Sequence, residues 1–189
     1  LVRAARAQPT GPPRPELWIR GSCDYGAQLA AHFGLPYAFA YFFTDGRGCE
    51  QALDLYRKNS RPSVDHPNPQ ATICVWALAA DTEAEARRLL MTREHWRTGF
   101  ERGLRTALIS PEEAAAIEYS AADRATIESL RKKATVGTGE QVAQKLSELA
   151  QRFGLDELVV VTWTHDTAPR HRSYDLRARA FGPACGLAR

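Results

Sequence analysis

The feature that most limits how this chain can fold is a repeated alternation. Short runs of unbroken apolar residues give way, each time, to a helix-like stretch. The runs are LWI at Leu17–Ile19, YAFAYFF at Tyr37–Phe43, ATICVWALAA at Ala71–Ala80 and ELVVVTW at Glu157–Trp163. A run with no polar alternate suits a strand buried on both faces. Within the second run, Tyr37, Phe39, Tyr41 and Phe43 are expected on one face, because alternate strand residues share a face. Strands of this kind, each followed by a helix, imply a parallel sheet covered by helices. Periodicity alone leaves two architectures open: part of a doubly wound sheet, or half of an eight-stranded barrel.

The helical stretches carry their own punctuation. Asp24–Phe33 has Asp24 as an N-cap and Gly34 as a stop. Cys49–Lys58 is helical and runs into a polar, proline-broken loop over Asn59–Asn68. Asp81-Thr82-Glu83 caps a charged helix from Glu83 to Arg102. SPEEAAAIEY and SAADRATIESLRKKA follow with no strand between them, each opening on serine. Gly137-Thr138-Gly139-Glu140 opens a helix whose Val142, Leu146, Leu149, Ala150 and Phe153 form one apolar face, ended by Gly154. GTGE lacks the later GK[ST] of a phosphate loop and follows a helical region, so it reads as a helix start. Pro169–Phe181 is the last helix.

Composition excludes several classes. With 25 basic and 22 acidic residues among 189, the net charge of +3 gives no support to nucleic-acid binding. No apolar run reaches the roughly 20 residues of a membrane helix, and the start has no apolar signal core. Cys23, Cys49, Cys74 and Cys185 form no CxxC pair, and the histidines have no ligand spacing, so neither a disulfide framework nor a metal site is expected. Reduced thiols fit a cytoplasmic location. Residues 1–16 read as the end of a preceding helix and a proline-rich connector, 17–182 as the folded unit and 183–189 as a tail. The chain opens on Leu1 and reads as part of a longer one.

The turn RGSCDYG raises a chemical expectation. A strand ending at Gly21-Ser22 and feeding a helix sets free backbone N–H groups and a hydroxyl at a helix N-terminus, a place to hold an anion such as phosphate. The alternative is that Ser22 caps the helix alongside Asp24.

The words GSCDYGAQLAAHFGLPYAFAYFF, LDLYRKNSRPS, AADTEAEARRL, VGTGEQV and DELVVVTWTHDTAPRHRSYDLRA follow in this order. Together they resemble the C-terminal half of the luciferase-like flavin-dependent monooxygenases, in the branch with GSS-x-x-SAQLAA-x-x-GLPFAFA. The resemblance runs from about Pro15 to Phe181. Cys23 and Gly26 depart from the serines of that pattern, and nothing matches the family's first four strands. The resemblance implies an α/β fold, the C-terminal half of a (β/α)8 TIM barrel with strands five to eight. A helical insertion from about Pro111 to Ala134 would precede the last strand.

It also implies an oxidoreductase that uses reduced FMN, supplied by a separate flavin reductase, and O2 to oxygenate a small organic substrate. Coenzyme F420 is the less favoured cofactor. Gly21, Ser22, Tyr25 and Gly26 match the loop that holds the flavin phosphate. Thr162 and Trp163 are expected to line the flavin or substrate cavity, and His165 to handle protons or to stand as an exposed rim residue. Arg170, Arg172 and Tyr174 read mainly as a solvated or bracing helix face. The competing expectation is a non-catalytic half-barrel whose two open edges drive it to pair with itself or with a complementary half.

Overall fold

The computed structural model describes residues 15–182, so the expectations for residues 1–14, Cys185 and the tail lie outside the described residues. Its elements are, in order, β1 (Ile19–Gly21), α1 (Asp24–Phe33), β2 (Tyr37–Phe39), α2 (Tyr41–Thr44), α3 (Cys49–Asn59), β3 (Ala71–Ala79) and α4 (Glu83–Glu101). They continue with α5 (Pro111–Ala115), α6 (Ala121–Lys133), β4 (Thr135–Gly137), α7 (Gly139–Phe153), β5 (Leu158–Val161) and α8 (Thr167–Phe181).

All strand pairs are parallel, and β3 is the hub. Ile73 is partnered by Phe39 of β2 and by Leu158 of β5, so these two strands flank β3 on opposite edges. The principal wall therefore runs β1-β2-β3-β5. Along a strand, successive peptide groups point to alternate edges. The Gln70 carbonyl accepts from Tyr37 N–H, and Ala80 N–H donates to the Gly137 carbonyl, 3.0 Å in each case. Both are even-numbered positions, so β4 sits on the β2 edge of β3, beyond the point where β2 ends.

The two faces of β3 are covered by different helices. Ile73, Val75, Ala77 and Ala79 pack in one core with α1, α3 and α7. Trp76, Leu78 and Ala80 pack in a second with Ala86, Leu89 and Leu90 of α4 and Leu130 of α6. The first is the face expected of consecutive strand-helix units. The second is covered by α4 and α6, with Phe42 of α2 and Trp163 beside them, and is called the insertion face below.

Several expectations need correction. The first strand lies two residues later than Leu17–Ile19, because Ile19 to Gly21 are the residues that find partners on β2. The run Tyr37–Phe43 is strand only to Phe39. Gly21 and Ile73 are the last partners of Phe39, and beyond Ala40 the chain turns into α2, so Tyr41 and Phe43 do not continue the strand face. The stretch before Gly137 holds a strand, β4, three residues long; the insertion is followed first by this strand and α7, and only then by the last strand. Finally, β5 is not buried on both faces. Among the described residues it is an edge strand paired with β3 alone, and Val159 is 43% exposed.

Helix punctuation follows the sequence closely. Thr82, Ser110, Ser120 and Thr138 cap α4, α5, α6 and α7 with their side chains, the last three in reciprocal capping boxes. Gly34 and Gly154 take left-handed conformations after α1 and α7. The N-cap of α1 is Cys23, not Asp24.

Candidate functional site

Strand β1 ends at Gly21, and α1 starts three residues later. Such an abrupt junction needs close approach of two backbones. A Cβ on Gly26 would lie 3.0 Å from the Gly21 Cα, and one on Gly21 would lie 3.1 Å from the Gly26 Cα. The pair of glycines is therefore what allows the turn. Tyr37, fully buried below it, donates its hydroxyl to the Cys23 carbonyl at 3.4 Å and adds a brace that sequence reading missed. Burial, with the nearby Cys23, pushes the Tyr37 phenol well above its ordinary range, so it remains a donor.

No side chain caps α1. Ser22 precedes the N-cap and does not cap the helix, which removes the alternative role considered for it. The Asp24 carboxylate is turned to α3, where it accepts from Gln51 Nε2 at 2.5 Å. Tyr25 is 71% exposed beside the turn, and Gly26 is buried. The first turn of α1 thus presents backbone N–H groups without a side-chain acceptor, next to a serine hydroxyl. That is the chemistry of an anion cradle.

The residues after β5 divide by face. Thr162 is buried; its Oγ1 donates to the Ala77 carbonyl at 2.7 Å and accepts from Arg177 Nη2 at 3.0 Å. It braces α8 to β3 and does not line a cavity, which corrects the expectation. Trp163 turns to the insertion face, with its ring 5.0 Å from Trp96, 5.9 Å from Phe42 and 6.4 Å from Trp76. His165 is exposed, its Nδ1 3.1 Å from Asp166 Oδ1. Because β1 and β5 are the two edges of the wall, Ser22 and His165 stand about three strand spacings apart, roughly 14 Å along the sheet. The structure does not bring them together.

The bracing role expected of the last helix is clear for two residues of its RSY word. Arg172 forms a two-pronged ion pair with Asp81, which holds that carboxyl below the usual carboxylate range. Ser173 Oγ accepts from the Ala79 N–H at 2.9 Å.

With this geometry in hand, comparison with known proteins is informative. Residues 2–157 match the family of luciferase-like monooxygenases. The chain belongs to that family. The YceB protein of Bacillus subtilis is 34% identical over 167 residues, which is 88% of this chain and 50% of the relative. A luciferase-like monooxygenase of Escherichia coli K12 is 31% identical over 160 residues, 85% of this chain and 48% of the relative. Among solved structures, apo-MsnO8 superposes with a TM-score of 0.78 at 32% identity, over 92% of this chain and 53% of that one. The oxygenating constituent of 3,6-diketocamphane monooxygenase from Pseudomonas putida, a complex with FMN, shares the fold at 15% identity. Its TM-score is 0.55, over 90% of this chain and 48% of that one. The chain spans about half the length of the curated relatives it matches. Among the described residues no helix is long and apolar enough to cross a membrane.

Proposed function

We propose that this chain forms half of the (β/α)8 barrel of a flavin-dependent monooxygenase that uses reduced FMN and O2 on a small organic substrate. The wall β1-β2-β3-β5, with α1, α3 and α7 on one face, supports four consecutive strand-helix units of such a barrel. In that reading the insertion face is the barrel interior and the strand C-termini are the active rim.

One observation carries the cofactor assignment: the tight β1–α1 junction, made possible by Gly21 and Gly26, leaves the first N–H groups of α1 without a side-chain cap at the strand end, beside the Ser22 hydroxyl. An FMN phosphate fits there. The N–H groups at the start of α1 and the Ser22 hydroxyl would donate to it, Gly21 and Gly26 would let it approach the backbone, and the Gln51 contact keeps the Asp24 carboxylate off it. Reduced flavin, when bound, supplies the electrons and the activation of O2. The protein's part is to hold the phosphate, exclude water and orient the substrate. His165, with Nδ1–H directed to Asp166, would accept a proton at Nε2 from the rim. The strands that would close the barrel between β5 and β1 come from outside this chain, as a separate half or a preceding segment.

The test is a titration of the purified chain with FMN and with anaerobically reduced FMN, followed by flavin fluorescence. Ser22→Ala is expected to weaken binding about tenfold, the loss of about 1.5 kcal/mol for one hydrogen bond to a charged group. Equal affinities for the two chains, or no saturable binding by the unaltered one, would remove the assignment.

A further inference from the structure

The insertion face holds a feature that the phosphate cradle leaves unexplained. Phe42 and Phe43 of α2, Trp96 and Phe100 of α4, and Trp163 after β5 form a continuous patch of rings. Phe42 and Phe43 lie 4.3 Å apart, Trp96 and Phe100 4.9 Å, and Trp96 and Trp163 5.0 Å. All five are half-buried, so one side of the patch meets solvent. Beneath it lie two side chains that are almost wholly buried. Trp76 is 3% exposed and Arg93 is 4% exposed, with the guanidinium 4.3 Å over the indole.

Among the described residues, each of these two side chains has a buried N–H with no partner: Nε1 of Trp76 and Nε of Arg93. Arg93 Nη2 is engaged, donating to the Phe42 carbonyl at 3.2 Å and facing Asp45 at 3.5 Å. Buried donors in folded proteins nearly always have an acceptor, and a pair without one, stacked on each other, asks for an external acceptor. The surrounding rings offer faces and edges to a flat apolar body. At the margin of the patch are two exposed cations, Arg20 at 5.8 Å from the Phe43 ring and Arg105 at 4.2 Å from the Phe100 ring. They favour an electron-rich or partly ionised ligand.

We propose that this patch is the substrate receptor, and that it takes a flat aromatic molecule bearing an oxygen acceptor, an aryl ketone or a phenol, received by Trp76 Nε1–H and Arg93 Nε–H. The proposal rests on the flavin reading above and names the substrate class for it. Trp76 and Arg93 select the oxygen, and the five rings select the flat body. A site built to donate to an oxygen discriminates strongly against the analogue that lacks it, because its donors then stay unpaired.

Calorimetric titration of the purified chain with acetophenone and with ethylbenzene tests this, since the two differ in shape by little more than the carbonyl oxygen. The ketone is expected to bind at least tenfold tighter. Trp76→Phe keeps a ring and removes the N–H; it is expected to weaken the ketone about tenfold and to leave ethylbenzene unchanged. Equal affinities of the unaltered chain for the two compounds would overturn the proposal without reliance on any variant. So would a Trp76→Phe chain that weakens both alike. A third arm repeats the ketone titration in saturating FMN, where the affinity is expected to persist. Displacement of the ketone would assign the patch to the flavin ring and end the substrate reading. Failure of the flavin assignment itself would show separately, in the FMN titrations of Ser22→Ala.

Discussion

Replacing Asp45 by asparagine is expected to destabilise the chain by about 3 kcal/mol, measured by urea denaturation. The reason is the position of one carboxylate between two buried cations from the same helix. Asp45 Oδ2 lies 3.0 Å from Arg97 Nη2, and Oδ1 lies 3.5 Å from Arg93 Nη2. Both guanidinium groups also take the carbonyls at the end of α2, Arg93 that of Phe42 and Arg97 that of Phe43. Burial pulls Arg93 down to about 10, against the opposing pull of Asp45, yet it stays charged at neutral pH. Removing one partner of a buried pair leaves the other charge uncompensated, which costs about 3–5 kcal/mol; here Arg93 loses its carboxylate, while Arg97 keeps that of Glu101, 2.9 Å from its Nε. The partial exposure of Asp45 places the expected value at the low end. Asp45 also has φ 49°, a left-handed conformation that asparagine tolerates well. Asp45→Gly relieves that conformation while removing the same charge. If backbone strain governed the site, glycine would stabilise; if charge governs it, both variants fall, and Trp96 of α4 shifts its emission to the red together with Trp76 and Trp163 packed against that helix. A fully stable Asp45→Asn chain would show that α4 is held by packing alone.

This ion-pair knot also shows where sequence reading stops. Continuous apolar runs and cap residues located the strand-helix alternation, and the Asp24–Phe33 and Ala71–Ala79 elements lie within one residue of where pattern and caps put them. Those signals are local. Whether YAFAYFF remains a strand depends on where its neighbours end, and β1 stops pairing at Gly21. A three-residue strand such as β4 has no periodicity to detect; only the partner supplied by the end of β3 defines it. The tight β1–α1 turn was legible because its parts are contiguous, from Gly21 to Gly26. Tyr37 under the turn was legible only as a core aromatic, since its contact with Cys23 spans 14 residues. The expected cavity role of Thr162 failed for a similar reason. Parity along β5 turns it to the helix face, and its partner Arg177 sits 15 residues later on α8. Arg93 and Arg97 looked like ordinary charges on a charged helix. Nothing in EAEARRLLMTREHWRTGFE announces that two of its arginines face inward.

Two glycines that end helices give the last test, because they share a conformation and differ in surroundings. Gly34 has φ 63° after α1, and Gly154 has φ 58° after α7. Alanine at either site must adopt a left-handed conformation, which costs about 1–2 kcal/mol. At Gly154 the added Cβ would meet only Arg57 Nη2, at the ordinary contact distance of 3.9 Å. At Gly34 it would stand 2.4 Å from the Arg61 carbonyl oxygen, a backbone atom that cannot step aside alone. The Arg61 segment is tied to the same helix end: Arg61 N–H donates to the Ala31 carbonyl at 3.1 Å, and Ser63 Oγ to the Gly34 carbonyl at 3.2 Å. Displacing it breaks those bonds and loosens the far end of the helix whose N-terminus forms the proposed phosphate cradle. Gly154→Ala is therefore expected to cost about 1 kcal/mol in urea denaturation, the conformational cost alone. Gly34→Ala is expected to cost about 3 kcal/mol, with the excess due to the clash and the lost hydrogen bonds. Equal costs at the two sites would mean that the loop carrying Arg61 yields freely. In that case α1 would be anchored by its alanine face on β1 and β2, and not by the loop that follows α3.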